Sequence, residues 1–219
     1  MDIHARIQQF LQQQTIHPLS KGEGDNVSKA GVVPFFRNPY RYYLMKPVAK
    51  NTALDAPKFQ LCKGTRMFRA TDGSWQDMPP SFPSPLVGEG GERSEPGKGG
   101  SFNKISPLPN PPPQRGRGLV VEFLAVTALR EGIEELGLKL ENIKQLYDVG
   151  AYDFSSATSG NAKQMWLFAA EMSADDFSDD VADSTAGCGW LSLAEFDVAG
   201  REDHRYILRD IEKKLKQYY

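Results

Sequence analysis

Apolar residues recur near the start of the chain at Ile3, Ile7, Phe10 and Leu11. This helical spacing predicts an amphipathic N-terminal helix over residues 1–16, laid on an apolar surface. GVVPFF (31–36) and YRYYLMK (40–46) flank Asn38-Pro39, a turn signal, and predict a hairpin in which Pro34 must lie at an edge or a bulge. KFQLCKG (58–64) predicts a strand ending at a glycine. Farther on, Leu129, Ile133 and Leu136 make one apolar stripe of a helix over Leu124–Leu136, closed by Gly137. Strands are predicted at 143–152, 164–170 and 189–193, and a last helix from Asp203 carries Ile207, Ile211 and Leu215 on one stripe. Strands alternating with helices predict a layered α/β fold, with 1–219 as a single domain.

One segment breaks the pattern. Residues 79–118 hold ten of the fifteen prolines and eight of the twenty glycines, and no apolar periodicity survives there. Such a stretch buries too little surface to offset its ordering entropy, which predicts a long inserted loop, flexible or loosely pinned. Its wording, SPLVGEGGERSEPG and PLPNPPPQRGRG, resembles the translation of palindromic repeat elements inserted into bacterial reading frames. A proline-rich recognition segment is the alternative.

The net charge of -2 gives no electrostatic reason to expect duplex nucleic acid as a partner, which leaves small anionic ligands open. Cys62 and Cys188 show no metal-ligand spacing and form no framework, which suits inert thiols in a reducing cytosol. No apolar run approaches the roughly 18 residues of a membrane span, and MDIHARIQQFLQQQ lacks the layout of a signal peptide. A cytoplasmic protein without a membrane partner is expected. Homodimerisation is left open.

The chemistry concentrates on the helix over 124–136. Glu131, Glu134 and Glu135 stand at i, i+3 and i+4, on one helical face and off the apolar stripe. Three like charges so close repel one another, which is tolerable if the face is wet or if a divalent cation sits over it. Oxygen-only donors at this density suit Mg²⁺ or Mn²⁺. Alone, Arg130 and Glu134 would be an ordinary i,i+4 ion pair on a solvated face.

The stretch Arg130-Glu131-Gly132-Ile133-Glu134-Glu135-Leu136-Gly137-Leu138 resembles the Nudix box, the signature of the Nudix hydrolases, G-x5-E-x7-R-E-U-x-E-E-x-G-U, where U is a bulky aliphatic residue. Glu122 falls on the isolated glutamate and Gly116 on the leading glycine, while Gly132 departs from the aliphatic position. Gly116 lies inside the insert. Leu61-Cys62-Lys63-Gly64 is similar to the L-P-K-G segment that carries the leading glycine in the family, so Gly64 is taken as the functional one, with its carbonyl near the metal.

The resemblance implies a Nudix-type α/β/α sandwich with a mixed sheet, here with an N-terminal helix and a long Pro/Gly-rich insertion in the box loop. It implies Mg²⁺-dependent (or Mn²⁺-dependent) hydrolysis of a phosphoanhydride bond in a nucleoside diphosphate linked to another moiety. Nucleoside triphosphates, dinucleoside polyphosphates and nucleotide sugars are of this class. Glu134 and Glu135 would be the main metal ligands. Glu131 would ligate or orient the attacking water, Arg130 would hold a glutamate, and Glu122 would support a further metal or the helix start. Because Gly132 and the insert disturb the box, a catalytically weak nucleotide-binding or interaction protein of the same fold is the alternative. Tyr152, Phe154 and Trp166 are candidates to stack a nucleobase, with core packing the rival role. Asp179, Asp180 and Asp183 read as a solvated acidic run. His4, His17 and His204 have no ligand spacing and no assigned role.

Overall fold

The computed structural model describes residues 2–20, 27–48, 57–70, 73–77, 120–155 and 162–219. The segment 79–118, expected to be an inserted loop, lies outside the described residues, and Gly116 with it. In chain order the elements are α1 (Ile3–Gln13), β1 (Ile16–Pro18), β2 (Lys29–Arg37), β3 (Tyr40–Pro47), β4 (Gly64–Thr65), β5 (Met67–Arg69) and β6 (Trp75–Asp77). There follow β7 (Val120–Val121), α2 (Leu124–Leu136), β8 (Ile143–Ser155), β9 (Ala162–Met172), β10 (Thr185–Leu191), α3 (Leu193–Ala199) and α4 (Glu202–Tyr218).

Among the described residues the main sheet runs β1-β8-β9-β2-β3-β10, with β4 also paired to β2. It is mixed: β1 with β8 and β2 with β9 are parallel, the other pairs antiparallel. Successive strand residues point to opposite faces, so neighbours such as Val32 and Val33 serve different cores. Val33, Phe35 and Leu167 pack with Ile207, Leu208, Ile211 and Leu215 of α4. Val32, Trp166 and Phe168 pack with Ile7 of α1 and with Val126 and Leu129 of α2. Helices therefore cover both faces, and the expected α/β/α sandwich with an N-terminal helix is found. A small second sheet, β6-β5-β7, leads directly into α2.

The hairpin forms as expected, with a cis Asn38-Pro39 bond at its turn. Pro34 sits in an interior strand, yet β2 pairs with β3 only over residues 35–37 and with β4 only at 29 and 30. The gap between is a local edge, and Pro34, which has no N–H to give, falls in it.

Two expectations are corrected. The run 58–64 is not a strand: it makes only isolated bridges, Met45 with Gln60 and Phe59 with Gly200, and regular pairing starts at Gly64. Its backbone partners come from several elements instead of one ladder. Phe59 N–H donates to Ala199 O, Arg201 N–H to Phe59 O, and Leu61 N–H to Nδ1 of His204. The last strand covers 185–191 and not 189–193, because Ser192 starts α3. Ser192 Oγ accepts from Glu195 N–H while the Glu195 carboxylate accepts from Ser192 N–H, a reciprocal cap that the sequence Ser-Leu-Ala-Glu already spelled.

Candidate active site

The box helix is pressed hard against the sheet. At Gly132 a Cβ would lie 2.6 Å from Cγ1 of Val32 and 3.0 Å from Cδ2 of Leu138, so the position that departs from the aliphatic pattern is a close helix-strand contact. At its far end Gly137 takes the left-handed conformation, φ 70°, that ends the helix. The helix's last carbonyls are then met by the segment before β10 and by its first residue: Ala182 N–H donates to Glu134 O and Thr185 Oγ1 to Glu135 O. Asp179, Asp180 and Asp183 of that segment are exposed, as expected.

Glu122 is 2% exposed and saturated with donors. Its Oε1 accepts from Nε of Arg130 at 3.1 Å and faces Nε2 of His4 at 3.1 Å. Its Oε2 accepts from Met67 N–H at 2.9 Å and Thr127 Oγ1 at 3.0 Å, with Nη2 of Arg130 at 3.4 Å. This carboxylate ties the start of α2 to β5 and α1, and its oxygens are already committed to protein donors.

Arg130 spreads its fork over what remains. Nη2 donates to the Thr65 carbonyl at 2.9 Å, and Nη1 meets Oε1 of Glu131 at 2.8 Å and Oε2 of Glu134 at 2.9 Å. Burial works against the guanidinium charge, but Glu122, then Glu131 and Glu134, hold its pKa above the ordinary arginine value.

Glu131 is 9% exposed and lies directly on Gly64: a Cβ there would come within 1.7 Å of the glutamate Cδ. Burial, opposed by Arg130 but reinforced by Glu135 and Glu134, pushes its carboxyl up to about 7. Burial also raises Glu135, while the Cys62 thiol, the Lys63 ammonium and the Lys63 N–H pull it back. Among the described residues, Oε2 of Glu135 is buried without a hydrogen-bond partner. Glu134 is half-exposed at the rim.

The donor chemistry fits a hard divalent cation: three adjacent carboxylates, two of them forced toward neutrality, and one orphaned buried oxygen. Among the described residues, however, no three His, Cys, Asp or Glu side chains are gathered about one point. Nη1 of Arg130 lies instead between Glu131 and Glu134, in contact with both.

Other residues surround the carboxylates. Lys63 lies 5.4 Å from the Phe154 ring, and burial followed by Arg201 lowers its pKa to about 8. His204 is wholly buried; burial followed by Lys63 lowers it to about 3, and because Nδ1 accepts from Leu61, the proton of the neutral ring sits on Nε2. Burial, then Glu135, pushes the Cys62 thiol well up. Tyr152 and Phe154 belong to the core beneath α4, and the Tyr152 hydroxyl donates to Asp210 and accepts from Nζ of Lys214. Trp166 is buried on the opposite face, donating to Asp148. Among the described residues no helix is long and apolar enough to cross a membrane.

No protein-family model matches the chain, nor does any curated protein. Solved structures do. A Caenorhabditis elegans Ap4A hydrolase in a binary complex aligns at 12% identity and TM-score 0.50, over 87% of this chain and 98% of that one. A NUDIX hydrolase of Listeria monocytogenes aligns at 16% identity and TM-score 0.48, over 87% and 95%. The NUDIX domain of Shewanella oneidensis NrtR, complexed with ADP ribose, aligns at 12% and 0.48, over 90% of each. With a mixed sheet between helices and the box-like helix laid across it, the chain has the Nudix fold.

Proposed function

We propose that the chain is a divalent-metal-dependent pyrophosphohydrolase. It would cleave a phosphoanhydride bond in a nucleoside diphosphate linked to another moiety, a small nucleotide-type substrate. The carrying observation is the contact between Gly64 and Glu131, which joins the glycine of the L-C-K-G segment to the carboxylate face of α2. Glu134, Glu135 and Glu131, with the carbonyl of Gly64, would hold Mg²⁺ or Mn²⁺. When bound, such an ion supplies charge neutralisation at the phosphoanhydride and a more acidic water. Glu131, set against Gly64, would ligate the ion or orient the attacking water. Arg130 fixes the glutamates, and Glu122 fixes Arg130. Two free thiols suit a reducing cytosol.

The test is a screen of nucleotides for Mg²⁺-dependent release of phosphate or pyrophosphate. Glu134→Gln and Glu135→Gln should stay folded and lose most turnover; unchanged turnover overturns the assignment. One observation favours a second reading, a nucleotide binder with weak turnover: Arg130 engages both Glu131 and Glu134. On that reading nucleotide binds, yet release stays at background with every substrate tried.

A further inference from the structure

His4, on α1, reaches the buried carboxylate of Glu122. Its ring is 6% exposed and lies flat on the indole of Trp75, with centroids 4.1 Å apart and planes 5° from parallel. Trp75 belongs to β6, in the small sheet whose β7 feeds α2. Nε2 of the same imidazole sits 3.1 Å from Oε1 of Glu122, the oxygen that also receives Nε of Arg130. One side chain thus touches the N-terminal helix, the small sheet and the carboxylate that anchors Arg130.

We propose that His4 is a positioning residue for the carboxylate face: through Glu122 it fixes Arg130, and through Arg130 it sets Glu131 and Glu134. This rests on the metal-dependent reading above. Arg130 is held at Nε by Glu122 and at Nη2 by the Thr65 carbonyl, which leaves Nη1 to face the two glutamates. How far Nη1 competes for those glutamates depends on how firmly Glu122 holds the other side of the fork. Oε1 of Glu122 is shared between His4 and Arg130, whereas Oε2 is held by the Met67 N–H and the Thr127 hydroxyl. Without the imidazole, Oε1 loses one of its two close partners, and the carboxylate, still held at Oε2, can shift together with the guanidinium. Trp75 then loses its stack with the imidazole, so the small sheet at the entrance to α2 loosens as well.

The experiment compares full-length wild type, His4→Leu and His4→Gln, the last retaining an amide N–H that can reach Glu122. Two quantities are read: Mn²⁺ binding by electron paramagnetic resonance, and the Nε–H signal of Arg130 by nitrogen NMR, assigned with Arg130→Lys. Folded His4→Leu should bind Mn²⁺ several-fold more weakly and show a shifted or broadened Arg130 signal, and His4→Gln should recover most of both. A lower melting temperature with wild-type Mn²⁺ affinity and an unmoved Arg130 signal would mean that His4 only docks the helix, and overturns the proposal. If His4→Leu does not fold, His4→Asn, whose shorter side chain falls short of Glu122, carries the same comparison. Glu134→Gln separates the two failures. If it binds Mn²⁺ as wild type does, the metal reading is at fault, and the Arg130 signal alone decides the role of His4.

Discussion

Gly64 and Glu131, 67 positions apart in the chain, are in such close contact that a Cβ on the glycine would stand 1.7 Å from the glutamate Cδ. Gly64→Ala must therefore expel the Glu131 carboxylate or shift β4. The expected cost is about 1–3 kcal/mol of stability, as for other overpacked sites, together with loss of Mg²⁺-dependent turnover. Urea denaturation beside an activity assay checks both. An alanine variant with wild-type stability and turnover would remove Gly64 from the site.

The pKa of Glu131 sets a pH dependence with a definite sign. Its folded value is raised from 4.5 to about 7, so the fold favours the protonated acid. That contribution is fully present below the unfolded value and is lost as pH rises through about 7. Glu131→Gln, permanently neutral, should match wild type at low pH and exceed it by on the order of 3 kcal/mol above neutrality in chelator. Melting of both proteins from pH 4 to 8 in EDTA reads the difference directly; a constant gap across that range contradicts the burial of this carboxylate.

Gly132→Ala tests the departure from the aliphatic pattern. In an exposed helix this change gains about 1 kcal/mol. Here the new methyl meets Val32 on a buried strand, and overpacking of roughly 1–3 kcal/mol should win, for a net loss of about 1 kcal/mol in chemical denaturation. Stabilisation would mean that the helix and sheet are not in contact at this point.

Glu122 and Glu134 should part company when each becomes glutamine. Glu122 is buried opposite Arg130 with every oxygen engaged, and its loss of charge should cost on the order of 3 kcal/mol. Glu134 is half-exposed and its replacement should move stability by no more than about 0.5 kcal/mol while turnover falls. Equal destabilisation of the two would undo the distinction between anchor and working carboxylate.

The chain by itself determined what depends on local spacing. Period-two and period-3.6 patterns placed the hairpin, the long strands, the box helix and the last helix, because burial of one face is written into consecutive residues. Three glutamates on one helical face could likewise be read along the sequence. The run 58–64 could not be read so: its residues look like a strand, but its hydrogen bonds go to β3, to Ala199 and Arg201 at the junction of α3 and α4, and to His204, partners up to 143 positions away.

Tertiary structure alone decided which residues serve the carboxylates. His4 and His204 have no spacing that betrays them, since each meets its partner only when α1 docks on α2 or α4 closes over the sheet. It also decided that Glu122 is a buried anchor, that Tyr152 and Phe154 are core, and that Gly132 is a contact point. Those roles follow from burial and from donors brought together across the fold, and neither quantity exists until the layers pack.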